Sequence, residues 1–343
     1  MKKVLSVILA VIMASMVFSG CGAAPSTSIS PEANTGSAPI EAGKKLKIGI
    51  VQIVEHPSLN TIRESFLEEL KALGYGEDKV EIDYQNAQGD QSTLNSITQK
   101  FVTDKSDLIV AIATPSAQSA AAATKDIPVL FSAVTDPLAA NLMTDLSKPN
   151  GNATGTSDAI PVDQIFELSK KLTPNVKKYG FLYCTSEVSA ISVINEAKKY
   201  CDENGIAYTE ASITNTSELQ QAAQSLVGQC DAFYTTIDNV VASAMPVLAD
   251  VALQAKMPVY VGADSMVMDG GFATVGIEYT NLGKQTAAMA DKILSGTPIS
   301  EIPVETLNNF GTIINEDTAA ELGITIPEDI KATAQIVKTS TAK

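Results

Sequence analysis

The sequence predicts an α/β protein built as two doubly wound, Rossmann-like lobes with parallel sheets, and three observations carry that prediction. Short apolar runs alternate with stretches of helical period through residues 46–330, the pattern of parallel strands joined by right-handed crossovers. The alternation pauses at the turn-rich Lys148–Gly155 (KPNGNATG) and then restarts, which predicts a second lobe and a first hinge there. The apolar runs end in hydroxylated or acidic residues, and open parallel sheets bind ligands beyond the carboxyl ends of their strands.

The N-terminus predicts an address. Met1-Lys2-Lys3 is followed by the apolar run Val4–Phe18 and by Ser19-Gly20-Cys21-Gly22, the layout of a secretory signal peptide with a cysteine just after the cut. Cleavage before Cys21 removes residues 1–20, leaves 323 of 343 residues and moves the net charge from −15 to −17. Residues 21–45, rich in Ala, Ser, Pro, Gly and Thr, read as a flexible tether. The acidic balance speaks against a nucleic-acid partner and against anionic lipid. Beyond Cys21 only Cys184, Cys201 and Cys230 occur, without metal or redox spacing, so they read as small buried apolar residues.

In chain order, Leu46–Ile53 and Val80–Tyr84 are the first strands, around a helix Thr61–Leu73 that carries Ile62, Phe66, Leu70 and Leu73 on one face. A helix Leu94–Thr103 follows. Leu108–Ala113 and Val129–Ala133 are continuously apolar, as buried parallel strands are, with an alanine-rich helix between them. Pro115 and Pro137 suggest helix starts just after both. Lobe two then has helices Val162–Leu172, Val188–Asn204, Ser217–Val227 and Val240–Lys256. Its strands are Tyr179–Cys184, Ala207–Ile213, Ala232–Ile237, Val259–Gly262 and Phe272–Ile277. A helix Asn281–Leu294, a strand near Gly311–Ile314 and a helix Glu316–Leu322 complete the chain. The expected division is 46–156 plus about 277–308 for lobe one and 157–276 plus about 309–330 for lobe two, with 331–343 a tail.

Six strand ends or following loops are polar: Gln52 to His56, Thr114 to Ser116, Ser132 to Asp136, Tyr183 to Glu187, Asp238-Asn239 and Asp264-Ser265. Each alone is ordinary for a loop or a helix cap. Together they have a polarity. Lobe one offers hydroxyls and helix N-termini, which suit an anion. Lobe two offers the carboxylates of Asp238 and Asp264, which suit a cation. A clamp of that polarity fits a zwitterion, hence a free amino acid. Catalysis has little support, since His56 is the only histidine and neither a phosphate loop nor a His/Cys cluster of metal-binding spacing occurs. Neither an enzyme nor a cofactor is expected.

The segments KIGIVQIVEHPSLN, IATPSAQSA, FSAVTDPLAANL, ATGTSD, TTIDNVVASA and GIEYTNLGKQTAAMADKIL, spread over residues 46–330, resemble the substrate-binding lipoproteins of bacterial ABC importers. The resemblance is to the tryptophan- and tyrosine-binding members. It implies the type I periplasmic-binding-protein fold, with three crossings as a hinge. It also implies lipidation at Cys21, a place at the outer face of the cell membrane, and partners in an ABC permease and its cytoplasmic ATPase, the protein acting as a monomer. Carried over by position, Ser116 (or Thr114) and Thr135 hold the ligand carboxylate and Asp264 the ammonium, with Asp238 close behind. Gln52 and His56, in the loop after the first strand, are expected to cover the ligand or bond an indole N–H, and Ala133, Asp158, Tyr183, Ser186 and Asn239 complete the implied contacts. Phe131, Tyr183, Tyr234, Tyr279 and Met268 lie near strand ends and are candidates for an aromatic slot, in a chain with nine Tyr, nine Phe and no Trp. The alternatives are a sugar or nucleoside binder on the same fold, or a surface sensor without transport.

Overall fold

A computed structural model of the protein describes residues 45–340. The expectations for the signal peptide, for Cys21 and for nearly all of the tether lie outside the described residues.

The strands of the first lobe are β1 (Leu46–Gln52), β2 (Val80–Asn86), β3 (Leu108–Ile112), β4 (Val129–Ser132) and β5 (Ala153–Ser157). Those of the second are β6 (Lys178–Cys184), β7 (Ala207–Ile213), β8 (Ala232–Tyr234), β9 (Val259–Tyr260) and β10 (Ala273–Gly276). The chain then returns with β11 (Glu305–Thr306) to the first sheet and ends with β12 (Gly311–Asn315) and β13 (Gln335–Val337) in the second. Sheet one has the order β11-β5-β4-β3-β1-β2, and its paired strands are parallel. Sheet two has the order β13-β12-β10-β9-β8-β6-β7 and is parallel except where β12 runs against β10. The main chain therefore passes between the sheets three times, after β5, after β10 and after β11.

The central strands are apolar throughout because helices cover both faces. Every residue of β3 and β4 is buried. Lobe two stacks its aromatic residues inside: Tyr234 lies 5.1 Å from Phe166 and 5.6 Å from Phe181, ring centre to ring centre. Parallel strands all end on the same edge, so both sheets direct their carboxyl ends to one cleft between the lobes.

Several expected elements differ. Lys148–Gly155 is not the hinge, because Ala153–Ser157 pairs with β4 as a strand of sheet one. Small and hydroxylated residues look like a turn in the sequence, but here all five residues of the strand, three of them hydroxylated, are buried. No helix follows Pro137: Asp136 Oδ1 accepts from the Leu138 and Ala139 amides and closes a turn over 137–140. The predicted helix Val240–Lys256 is two, Asn239–Ala242 and Met245–Gln254, with Pro246 in the first turn of the second, where its missing N–H costs nothing. The expected tail contains the end of a helix, Glu328–Lys331, and β13.

The helix Tyr279–Leu294 returns from lobe two and packs on the helix Pro57–Ala72 of lobe one. Gly283 sets the approach, since an added Cβ would lie 2.1 Å from Ser65 Oγ and 2.5 Å from the Ile62 carbonyl oxygen. Further along, Thr286 Oγ1 bonds Ser132 Oγ at 2.8 Å and Thr156 Oγ1 at 2.9 Å, which fixes the same helix to β4 and β5. Ser132 is thereby occupied as a structural hydroxyl. Gly283→Val should cost about 1–3 kcal/mol through overpacking, read as a lower urea midpoint at constant slope. An unchanged midpoint would contradict this packing.

Candidate functional site

A cavity of about 10 Å³, room for one water-sized sphere, lies between the lobes at the strand ends. Lobe one lines it with His56, Ser58 and Leu59 after β1, Thr114 after β3, and Ala133 and Thr135 after β4. Asp158 and Tyr279 enter from the first and second crossings. Lobe two adds Ser189, Ile237, Asp238, Asn239, Ala242, Ala263 and Met266.

Backbone strain shapes the lobe-one side. Ala113, at the end of β3, has φ 76° and ψ 159°, and Ala133, at the end of β4, has φ 57°. A non-glycine residue held in the first of these regions costs of order 1–3 kcal/mol, and such strain clusters where a ligand is clamped. The turn at Ala113 starts the helix Thr114–Ala123 abruptly. Thr114 Oγ1 and Ser116 Oγ are buried there without a hydrogen-bond partner among the described residues.

Asp158 is 1 % exposed, and its carboxylate accepts from Thr135 Oγ1 at 2.8 Å and Tyr279 O–H at 3.4 Å. Burial pushes its pKa up to about 6, against those hydroxyl bonds. No cation faces it among the described residues. A buried carboxylate without a counter-charge is costly and marks a place where a positive group is wanted.

Asp238 caps the short helix Asn239–Ala242. Oδ1 accepts from the Val240 and Val241 amides, each at 3.0 Å, and Oδ2 from the Cys184 amide at 2.5 Å. Although it lines the cavity, three backbone amides already engage its carboxylate, so it is a scaffold. Burial still raises its pKa. Glu187, which ends one of the polar stretches but was given no ligand role, is 3 % exposed and accepts from the Asn239 amide and Asn239 Nδ2. Burial, and then the charge of Asp238, push its carboxyl well above the usual range. Asn239 Oδ1 in turn meets His56 Nε2 of the other lobe at 3.1 Å. Burial lowers the His56 pKa to about 4, so the ring is neutral at pH 7.

The structure thus brings together His56, Thr114, Ala133, Thr135, Asp158, Asp238 and Asn239, and leaves five expected residues outside the lining. Gln52 is buried behind it, its Nε2 donating to the Val54 carbonyl and Asn60 Oδ1, which fixes the loop that presents His56. Ser116 lies one turn into its helix. Tyr183 points away and donates to Glu210 Oε2 at 3.1 Å. Ser186 is exposed and lines a wider opening of about 710 Å³ at the mouth of the cleft. Asp264 accepts from the Ser265 amide at 2.7 Å; burial pushes it to about 6, and its charge reaches Tyr279, but it does not line the cavity. Of the proposed aromatic slot only Tyr279 takes part, since Phe131 and Tyr234 are core and Met266 stands where Met268 was expected. Thr135 is not at a helix start. Ser58, Leu59, Ser189, Ile237 and Met266 carried no signal in the sequence beyond lying next to strand ends.

The lobes touch directly. Besides His56–Asn239, Ser58 Oγ bonds Ser265 Oγ at 2.5 Å, and Ser192 Oγ donates to Asp136 Oδ2 at 2.7 Å. This is a closed clamp.

A two-sheet clamp with three crossings and a polar cleft defines a solute-binding protein, and the chain belongs to the ABC transporter substrate binding protein family, whose sequence pattern it matches over residues 47–338. It is 42% identical over 322 residues to a tyrosine-binding protein of Clostridioides difficile strain R20291, covering 94% of this chain and 92% of that protein. The ABC domain from Streptococcus pneumoniae in complex with L-Trp is 40% identical, with a TM-score of 0.84, over 86% of this chain and 100% of that one. The ligand-free, open structure of a Clostridium difficile substrate binding protein with adhesive properties is 44% identical over the same shares, but its TM-score is only 0.67. At similar identity, this chain superposes less well on the open, ligand-free structure than on the L-Trp complex.

A rise of the Asp158 pKa from 3.8 to about 6 penalises its ionised form by about 3 kcal/mol. The folded carboxyl holds its proton more tightly than the unfolded one. Its favourable contribution is therefore complete below about pH 4 and lost as pH rises through 6. Asp158→Asn should accordingly stabilise the protein at pH 7.5, by up to about 3 kcal/mol, and bring no gain at pH 4. Unfolding experiments giving the same difference at both pH values would refute it.

Proposed function

We propose that the protein is the extracytoplasmic receptor of an amino-acid importer and that its lobes close on a free aromatic amino acid. The observation that carries the reading is Asp158, a buried carboxylate held by two hydroxyls and facing no cation among the described residues. It is the partner for the ligand ammonium, in place of the expected Asp264. The hydroxyl of Thr114, buried, unpartnered and on the lining, takes the ligand carboxylate at the start of its helix, with the unpartnered hydroxyl of Ser116 behind it. Leu59, Ile237, Ala242 and Met266 give the side chain an apolar wall. The family relatives described as tyrosine-binding and as bound to L-Trp support an aromatic ligand. On this reading the closed form is presented to a permease driven by a cytoplasmic ATPase, and a lipid on Cys21 holds the monomer at the membrane. Binding and delivery need no chemistry on the ligand, so the protein is not an enzyme.

Thermal unfolding with the twenty amino acids, a few sugars and nucleosides tests this. A ligand at a thousandfold its Kd stabilises by about 4 kcal/mol. The expected shift comes from aromatic amino acids alone, and combining Thr114→Val with Ser116→Ala removes it while leaving the unliganded midpoint in place. A shift from sugars or nucleosides only would overturn the amino-acid reading.

A further inference from the structure

The hydrogen bonds around His56 leave one direction open. Glu187 Oε2 accepts from the backbone N–H of Asn239, which cannot be reversed, so that oxygen is an acceptor. Asn239 Nδ2 donates to the same oxygen at 2.8 Å. The amide oxygen is left facing His56, and His56 Nε2 must carry the hydrogen of that 3.1 Å bond. In a neutral ring the other nitrogen, Nδ1, then holds a lone pair and no hydrogen. It is buried without a partner among the described residues, on a side chain that lines the interlobe cavity. Burial is the main influence on the imidazole and the Asn239 bond the only opposing one, so neither Asp158 nor Glu187 lends it charge.

We propose that His56 Nδ1 sets specificity by accepting a hydrogen bond from the ligand's side chain, so that the site takes an aromatic amino acid whose ring carries N–H or O–H and disfavours one whose ring carries neither. This rests on the amino-acid reading above, in which Asp158 has the ammonium and the Thr114–Ser116 helix start has the carboxylate. His56 is fixed from lobe two, by the short helix Asn239–Ala242, and lines the same cavity as the apolar Leu59 and Ala242. A ring without a donor buries beside Nδ1 and leaves it unpaired. An orphaned buried acceptor weakens binding by about ten- to a hundredfold. Asn239 and Glu187 are positioning residues, since they set the tautomer without touching the ligand.

Calorimetric titration of the wild-type protein with L-tyrosine, L-tryptophan, L-phenylalanine and 4-fluoro-L-phenylalanine tests the proposal. The fluoro compound is close to tyrosine in size and lacks the donor. Phenylalanine and its fluoro derivative should bind about ten- to a hundredfold more weakly than tyrosine. His56→Leu should shrink the tyrosine-to-phenylalanine ratio towards one, whereas loss of the interlobe bond alone would weaken all four ligands alike and leave the ratio unchanged. Equal wild-type affinities for tyrosine and the two donor-free compounds overturn the role of His56 and leave the amino-acid reading standing. An unchanged ratio in His56→Leu overturns it likewise. Binding of none of the four would overturn the amino-acid reading and this inference together.

Discussion

A carboxylate that meets no counter-charge among the described residues, set where the chain first passes between the lobes, is the constraint on which the rest depends. Asp158 follows directly on β5, so the strand pairing of lobe one fixes its position. Its hydroxyl partners come from both neighbouring segments, Thr135 after β4 and Tyr279 at the start of the returning helix. Hydroxyls hold a carboxylate in place without neutralising it. The ionised site therefore stores an electrostatic penalty that an ammonium group relieves. Binding energy of this origin is tied to charge and geometry at once, and a neutral solute of the same size gains nothing from it.

Closure follows from the same arrangement. The three interlobe bonds, His56–Asn239, Ser58–Ser265 and Asp136–Ser192, are individually modest, since a hydrogen bond exchanged with water contributes about 0.5–1.5 kcal/mol. A ligand shifts the clamp only by its difference in affinity for the open and closed forms. On the proposed reading, Asp158 and the helix start at Thr114 bring that difference when residues of both lobes complete the enclosure. The strain at Ala113 lies within lobe one, so that part of the surface is set before the lobes meet and little ordering remains there at the moment of binding.

The fold was legible in the sequence because buried parallel strands are apolar without interruption, and the strands from Leu46 to Val129 were found within a few residues. The misplacements have physical causes. Ala153–Ser157 is a strand of small and hydroxylated residues whose burial no local pattern announces, and Gln335–Val337 is three residues that pair only because β12 lies beside them. The polarity of the cleft was readable too, since strand ends are predictable. What local reading could not do was choose among acids. Asp238 and Asp264 sit at strand ends as Asp158 does, and only the hydrogen bonds separate them: Asp238 is consumed as a cap by three amides and Asp264 turns to its own helix start. Glu187 was seen only as the end of a polar stretch, and its burial against Asn239 had no local signal.

The pairing of Asp158 with the ligand ammonium is tested most directly by a cycle in which both partners are altered. Calorimetry would compare tyrosine with 3-(4-hydroxyphenyl)propionate, which lacks only the amino group, on the wild-type protein and on Asp158→Asn. A charge-assisted bond of this kind is worth about 1.5–3 kcal/mol. Removing the amino group should therefore weaken wild-type binding by about ten- to a hundredfold and change the affinity of Asp158→Asn little. An equal loss in both proteins would place the ammonium elsewhere and contradict the account.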